Sequence, residues 1–294
     1  MHNAGYKGLG LDFNYEKLNI EPRVLKPWIG QEALALKGFN VTVPHKVRML
    51  KLVTQQDPLV EKVGAANTVI NRDGVLHAYN TDVYGFIKAL EVDLGVNPKG
   101  KNVLVIGSGG AARAVSVAVL EAGCSKLSIT NRTLVYAKDM QEELVKYYQN
   151  EIEIYVLNSM NLLRAISEAD IVVQTTSVGM APDTDQTPMD NFITFHSGQK
   201  VMDLIYSPPQ TLFMQKAKAR GAQVSNGLSM LVYQGVAAFE LMTGKTVDPQ
   251  LFRTALEAER ELPPDTWARQ NRVPLQDQAG DPHANDPASF TGKH

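Results

Sequence analysis

The chain has 294 residues, of which 44% are hydrophobic and 20% charged, and its formal net charge is −2. These values describe a folded protein of about two domains, and they exclude both wholesale disorder and a basic surplus for binding nucleic acid or a membrane surface. Cys124 is the only cysteine, which excludes an intramolecular disulfide and argues against a cysteine-based metal site.

The first hundred residues predict a small α/β unit. Alternating polar and apolar residues indicate strands, and runs of helix formers indicate helices. In chain order the predicted elements are a strand over 11–17, a helix over 22–37, a strand over 39–43, a helical turn over 45–52, a hairpin over 67–71 and 75–79, and a linking helix over 82–94.

From residue 101 onwards, short β-branched strands alternate with helices. The predicted strands are 102–106, 126–130, 151–157, 170–175, 200–205 and 222–225, and the predicted helices are 111–122, 135–148 and 209–220. This alternation indicates a parallel sheet covered on both faces. The expected fold class is therefore α/β, with a small substrate domain joined to a Rossmann-like, doubly wound nucleotide domain.

The expected domain boundaries follow from these patterns. The small domain is placed at 1–84 and is completed by a C-terminal helix at about 240–260; the nucleotide domain is placed at 85–239. The segment 261–294 is rich in proline and polar residues, so we expect it to be disordered. No secretion signal or stretch of ~20 apolar residues is present, which predicts a cytoplasmic protein with no membrane contact.

A glycine-rich turn follows the strand predicted at 102–106. Its sequence is Gly107-Ser108-Gly109-Gly110-Ala111-Ala112, a G-x-G-x-x-A match. Glycines permit the tight turn and the close approach of a pyrophosphate, and the following helix offers unpaired N–H groups to the phosphates. Because the turn lies between a strand and a helix, we expect it to bind a dinucleotide.

The next predicted strand ends in Asn131-Arg132-Thr133. A domain that binds NAD usually carries an acidic residue here for the ribose 2′-hydroxyl. An acid would repel a 2′-phosphate, whereas Arg132 can form charge-assisted hydrogen bonds to one. The sequence therefore favours NADP over NAD, and the alternative is that Arg132 is a solvated surface residue.

Three polar clusters lie at strand ends of the small unit. They are Asn40 to Lys46, Asn67-Thr68 and Asn80-Thr81-Asp82. Strand ends are suitable positions for reactive side chains, so the clusters indicate a pocket. Taken alone, Lys46 also fits a solvated lysine and Asp82 also fits a helix N-cap.

Together these residues resemble the shikimate dehydrogenase family. The resemblance covers residues 1 to about 260 and rests on an ordered set of short motifs. They are M-H-N (1–3), G-L-D-F-N-Y (10–15), G-F-N-V-T-V-P-H-K (38–46), A-A-N-T (65–68), N-T-D (80–82), G-S-G-G-A-A-R (107–113), N-R-T (131–133), T-S-V-G-M (176–180), D-L-I-Y (203–206) and G-L-S-M-L-V-Y-Q (227–234).

The resemblance implies reversible, NADP-linked reduction of 3-dehydroshikimate to shikimate, by a monomer or homodimer that needs no metal. It implies that Lys46 and Asp82 are the catalytic pair. It further implies substrate binding by Thr42, Asn67, Tyr206 and Gln234, and cofactor binding by Gly107, Ser108, Gly109, Gly110, Ala111, Asn131, Arg132, Thr133, Ile205 and Gly227.

The sequence departs from the family pattern at two places. In the family, a first strand and an S-x-S-P loop, whose serines hold the substrate carboxylate, precede M-H-N; here Met1 opens that motif. We expect this to reflect a truncated or misplaced start, and to leave a gap in the small sheet. The family also often has a basic residue where this chain has Tyr136, a position that Lys138 can replace.

Three alternatives remain at this point. One is a quinate/shikimate dehydrogenase that also accepts NAD, which an acid near position 132 would favour. A second is a nucleotide-binding homologue without catalytic activity, which the missing serines would explain. A third is a methylene-tetrahydrofolate-type dehydrogenase, against which the N-R-T and D-L-I-Y motifs argue.

Overall fold

The computed structural model describes residues 1–157, 159–189 and 194–260, and these residues form two units, each built on its own sheet. The first unit contains helices α1 (His2–Gly8), α2 (Leu25–Gly30) and α3 (Pro58–Val63), and strands β1 (Gly38–Asn40), β2 (Gln55–Gln56), β3 (Thr68–Arg72) and β4 (Val75–Tyr79). The predicted tail at 261–294 lies outside the described residues.

The small sheet has the strand order β1-β3-β4-β2. Its centre is the predicted hairpin of β3 and β4, which are antiparallel. Asp73 and Gly74 at the turn have positive φ angles of 51° and 84°. A two-residue hairpin turn needs such angles, which is why Asp-Gly is suitable there.

The strand predicted at 11–17 is wrong. This segment runs beside β1 without entering the sheet, because a groove of about 400 Å³ lies between them. The Tyr15 hydroxyl crosses the groove, donating from Oη to Asn40 Oδ1 at 2.9 Å. Alternation alone predicts a strand, but a strand also needs the backbone groups of a neighbour.

Other predicted elements of the first unit are shorter than expected. The helix expected over 22–37 is reduced to α2 and a 3₁₀ turn at Ala33–Ala35, with Gly30 ending the helix. The strand expected over 39–43 ends at Asn40, before Pro44, and the helical turn over 45–52 is a 3₁₀ turn at Arg48–Lys51.

The linking helix α4 (Asp82–Leu94) has the predicted bounds and leads into the second unit. This unit continues in chain order with β5 (Asn102–Ile106), α5 (Gly110–Glu121), β6 (Lys126–Asn131), α6 (Leu134–Leu144), β7 (Glu151–Val156), α7 (Met160–Glu168), β8 (Ile171–Gln174), β9 (Lys200–Asp203), α8 (Leu212–Ala219) and β10 (Gln223–Asn226). All strands are parallel, in the order β10-β9-β8-β5-β6-β7, which confirms the doubly wound sheet.

The last two helices, α9 (Leu228–Thr243) and α10 (Pro249–Arg260), return towards the first unit. α9 packs along α4, and Phe86 of α4 is fully buried in the core of the second unit. α10 packs on α1 and α9 through an aromatic cluster that includes His2, Phe239 and Phe252. In the described part of the chain, every helix is too short or too polar to cross a membrane.

The pKa of His2 links the stability of this aromatic cluster to pH. Burial lowers the pKa of His2 from 6.5 to about 4, so the folded protein binds the proton less readily than the unfolded chain. The free energy of unfolding should therefore rise by at most about 3 kcal/mol between pH 4 and pH 6.5 and then level off. Urea unfolding at several pH values, taken as the difference between the wild type and His2→Gln, measures this rise; a flat difference would contradict it.

Candidate active site

The site lies where the two units meet. Lys46, in the turn after β1, reaches the glycine turn of the large sheet, and its Cδ lies 3.6 Å from the position of a Cβ built on Gly110. The Lys46 carbonyl accepts a hydrogen bond from Ala66 N at 2.9 Å, which fixes the turn against the strand that follows. The Lys46 side chain is thus held beside the glycine turn of the large sheet.

Lys46 forms an ion pair with Asp82. Lys46 Nζ donates to Asp82 Oδ2 at 2.5 Å, and the two side chains are only 19% and 7% exposed. Asp82 is not the N-cap of α4, because Thr81 occupies that position. The pairing therefore replaces both simple alternatives, a solvated lysine and a capping aspartate.

Asn67 holds the other oxygen of the Asp82 carboxylate. Its Nδ2 donates to Asp82 Oδ1 at 2.8 Å, while its Oδ1 accepts from the backbone N–H of Thr81 at 2.8 Å. A backbone donor on one side and a carboxylate on the other fix which way the amide faces. Thr81 is buried, and its Oγ1 accepts a hydrogen bond from Asn67 Nδ2 at 2.9 Å. Its position between Asn80 and Asp82 predicted that it belongs to a polar cluster, but not that it contacts Asn67.

Among the remaining residues assigned to substrate, Gln234 contacts this network. Gln234 on α9 places Oε1 3.4 Å from Asn67 Nδ2, so it joins the Lys46–Asp82–Asn67 group. Thr42 is exposed and lines the groove beside β1. Tyr206 is exposed on the loop after β9.

The glycine turn has the shape needed to bind phosphates. Gly107 has φ of 118°, and a Cβ on it would lie 2.4 Å from Thr175 Oγ1, so only glycine fits. A Cβ on Gly109 would meet nothing within 4 Å, which leaves room for a ligand against the backbone. α5 begins at Gly110, with Ala111 in its first turn, and presents its N-terminus to that space.

A cavity of about 420 Å³ continues from this turn to the end of β6. It is lined by Ser108, Gly109, Arg113, Asn131, Arg132, Thr133, Tyr136 and Asp139. Two arginines among polar side chains suit the phosphates of a dinucleotide. Arg113 is a lining residue that was not predicted from the sequence. It lies one turn into α5, and a helix N-terminus attracts anions, so its position could have indicated a role in phosphate binding.

Ile205 and Gly227 lie together beyond β9 and β10. Gly227 N donates to Ile205 O at 3.2 Å, and a Cβ on Gly227 would lie 2.0 Å from Leu204 O. Asp203 just before them is fully buried, and burial raises its pKa from 3.8 to about 6. The chain thus keeps an acidic group within the sheet at this end of the cleft.

The doubly wound sheet, the glycine turn and the buried lysine–aspartate pair define a class: a two-unit, dinucleotide-dependent oxidoreductase. Sequence profiles of three families match: shikimate dehydrogenase substrate binding domain at 1–69, shikimate / quinate 5-dehydrogenase at 89–181, and shikimate 5′-dehydrogenase C-terminal domain at 227–257. A shikimate dehydrogenase (NADP(+)) of Desulforamulus reducens is 39% identical over 260 residues, which cover 88% of this chain and 89% of the relative. The chain therefore belongs to the shikimate dehydrogenase family.

Solved structures agree with this assignment. Shikimate 5-dehydrogenase of Listeria monocytogenes, in complex with shikimate and NAD, matches with a TM-score of 0.81 at 32% identity, covering 87% of this chain and 90% of that one. The enzyme of Thermus thermophilus, in complex with NADP(H) and shikimate, matches with a TM-score of 0.78 at 34% identity, covering 89% and 93%.

Gly85 controls how closely α4 approaches α9 and hence where Gln234 lies. A Cβ at Gly85 would lie 2.8 Å from Gln234 N and from Met230 O. Gly85→Ala should therefore separate the helices and lower the free energy of unfolding by about 1–3 kcal/mol. Urea unfolding measures this change.

Gly30→Ala is the matched control, since a Cβ at Gly30 of α2 meets nothing within 4 Å. That variant should be as stable as the wild type or more stable, because alanine is the better helix former. Equal effects of the two substitutions would contradict the close-contact explanation.

Proposed function

We propose that the chain is an NADP-dependent shikimate dehydrogenase that interconverts 3-dehydroshikimate and shikimate in aromatic biosynthesis. The observation that carries this proposal is the buried Lys46–Asp82 pair, which lies against the glycine turn of the dinucleotide domain. The names and bound molecules of the relatives point to the same reaction.

When bound, NADP(H) supplies or accepts the hydride. Reduction of a ketone develops negative charge on its oxygen, and the Lys46 ammonium is placed to stabilise that charge. Lys46 and Asp82 then exchange the proton with the substrate oxygen as one unit, since their polar atoms are 2.5 Å apart. A buried pair of this kind also excludes water that would weaken the interaction.

Neighbouring amides prepare the pair for this role. Asn67 holds Asp82 by a hydrogen bond and leaves the Asp82 oxygen that faces Lys46 in place. Gln234 lies beside Asn67 and offers an amide to substrate hydroxyls. Thr42, which lines the groove beside β1, and Tyr206, on the loop after β9, are the further proposed substrate contacts.

Replacing Lys46 tests the proposed catalytic pair. Lys46→Ala should lower kcat for shikimate-dependent NADP⁺ reduction by about 100- to 10,000-fold, because it removes acid–base catalysis and charge stabilisation. NADPH binding, measured by fluorescence titration of the same preparation, should remain nearly unchanged. Unchanged turnover in this variant would refute the assignment, and NADPH binding by a wild type without turnover would favour the non-catalytic alternative.

Lys62→Ala is the matched control. Lys62 also joins the two units, through a 2.7 Å ion pair from its Nζ to Glu121 Oε1, but it lies outside the cleft. Its loss should leave turnover within about twofold of the wild type, because an exposed pair contributes little to stability.

Arg132 is proposed to select NADP over NAD through the 2′-phosphate, with Arg113 on the same cavity. Arg132→Ala should raise KM for NADP⁺ about tenfold or more and leave KM for NAD⁺ nearly unchanged, since NAD⁺ has no group for the arginine to bind. Steady-state kinetics with both cofactors measure the ratio. If KM for NADP⁺ and KM for NAD⁺ changed equally, Arg132 would not select NADP through the 2′-phosphate, and the alternative that also accepts NAD would be favoured.

A further inference from the structure

Three neighbouring strands of the large sheet end in polar residues that lie side by side. β8 ends at Gln174, β9 at Asp203 and β10 at Asn226, and the register pairs Gln174 with Asp203 and Asp203 with Asn226. Gln174 and Asp203 are fully buried. These three residues, here termed the strand-end row, form a row of polar side chains at the carboxyl ends of three neighbouring parallel strands.

Two members of the row hold the loop that follows their own strand. Gln174 Nε2 donates to Val178 O at 3.2 Å and Gln174 Oε1 accepts from Thr176 N at 2.5 Å. Asn226 Oδ1 accepts from Leu228 N at 3.0 Å. Both residues use an amide side chain, which donates and accepts.

Asp203 holds both ends of the loop at 204–211. Its Oδ1 accepts from Ile205 N at 3.0 Å, at the start of the loop, and its Oδ2 accepts from Thr211 Oγ1 at 2.6 Å, at the end. Ile205 N–H can only donate, and Thr211 Oγ1, which already accepts from Met214 N at 3.2 Å, donates its proton to Asp203. A carboxylate supplies an acceptor for each of these donors, whereas an apolar side chain of similar size supplies neither.

Burying the carboxylate of Asp203 costs free energy, which distinguishes Asp203 from a neutral polar residue. Asp203 has no cation within ion-pair distance among the described residues. Burying an unpaired carboxylate is unfavourable even with two hydrogen bonds. An apolar residue would suit the core better, but it would release both ends of the loop.

The loop held by Asp203 follows β9, and so lies on the other half of the sheet from the 420 Å³ cavity that Arg113 and Arg132 line. That cavity follows β6, on one side of the point where the strand order reverses. A dinucleotide spans this point, so its nicotinamide half belongs over β8, β9 and β10. Ile205, which Asp203 holds by its N–H, accepts in turn from Gly227 N at 3.2 Å.

We propose that Asp203 is a positioning residue, which ties together the two ends of the loop at 204–211 and so fixes the surface formed by Ile205 and Gly227 for the nicotinamide ring. The kinetic consequence rests on the proposed function. The consequences for cofactor binding and for the loop of the free protein do not.

Asp203→Leu, which removes both acceptors at similar side-chain size, is the first test. It should lower kcat about tenfold or more, because a reacting group displaced by a fraction of an ångström loses its alignment. Affinity for NADP⁺ should fall severalfold, whereas affinity for 2′,5′-ADP, which lacks the nicotinamide, should stay within twofold. In the free protein, the Ile205 amide should exchange with solvent at least about tenfold faster, measured by NMR or mass spectrometry, because its acceptor is lost.

Asp170→Leu is the matched control at the other edge of the sheet. Asp170 also accepts a backbone hydrogen bond, from Asn102 N at 2.9 Å, but it precedes β8. This variant should leave kcat, both affinities and Ile205 exchange unchanged. Effects equal to those of Asp203→Leu would overturn the proposal, since they would show a response to any lost carboxylate in the sheet.

Thr211 provides a second test that leaves Asp203 in place. Thr211→Val removes the hydroxyl donor and should reproduce the loss of kcat and the faster Ile205 exchange, whereas Thr211→Ser keeps the hydroxyl and should restore both. The proposal is overturned if serine and valine behave alike, or if Asp203→Leu lowers 2′,5′-ADP affinity as much as NADP⁺ affinity. If the wild type does not oxidise shikimate, the proposed function fails, and the binding and exchange results still decide the role of Asp203.

Discussion

The close contact between Lys46 and Asp82 is the interaction on which the rest of the site depends. An ion pair this well buried is stable only when its remaining hydrogen-bonding groups are also satisfied. Asn67 meets that requirement for Asp82, and Asn67 is itself oriented by Thr81. The hairpin of β3 and β4 brings Asn67 and Thr81 together, since one lies just before it and the other just after. The small sheet therefore places Lys46 and Asn67 against the Asp82 carboxylate, with Thr81 orienting Asn67.

The sequence predicts best those elements that are determined by local pattern. β5 and α4 have the bounds expected from their apolar pattern, because β5 is almost entirely buried, α4 buries one face, and a glycine follows the end of each. The glycine turn is equally local, since the angles of Gly107 and the start of α5 depend on adjacent residues. Strand-end positions indicate a pocket that includes Lys46, Asn67 and Asp82, but their roles and the inclusion of Gln234 come only from the family resemblance. These residues are far apart in the chain, and nothing in their spacing shows that they meet.

What the sequence could not provide are relationships between elements. Gln174, Asp203 and Asn226 form a row only because three parallel strands share one register, and a register is not readable from separate segments. α7 and α3 were not predicted, since short helices carry too few turns to show a period. The segment 11–17 shows the opposite error: its pattern is that of a strand, but the element also depends on a partner.

The groove beside β1 has a consequence for the behaviour of the protein in concentrated solution. In an antiparallel pair, alternate residues of a strand direct their backbone N–H and C=O groups towards the partner strand. Phe39, opposite Val69, directs its groups towards β3, and the groups of Gly38 and Asn40 therefore point away from β3, towards the groove. An open sheet edge of this kind is a template for another chain, and many proteins protect such edges by keeping them short. β1 has only 3 residues, and the Tyr15 hydroxyl lies across to Asn40. We therefore expect resistance to aggregation at this edge to depend on the short length of β1 and on the Tyr15 side chain, and not on the small net charge of the molecule.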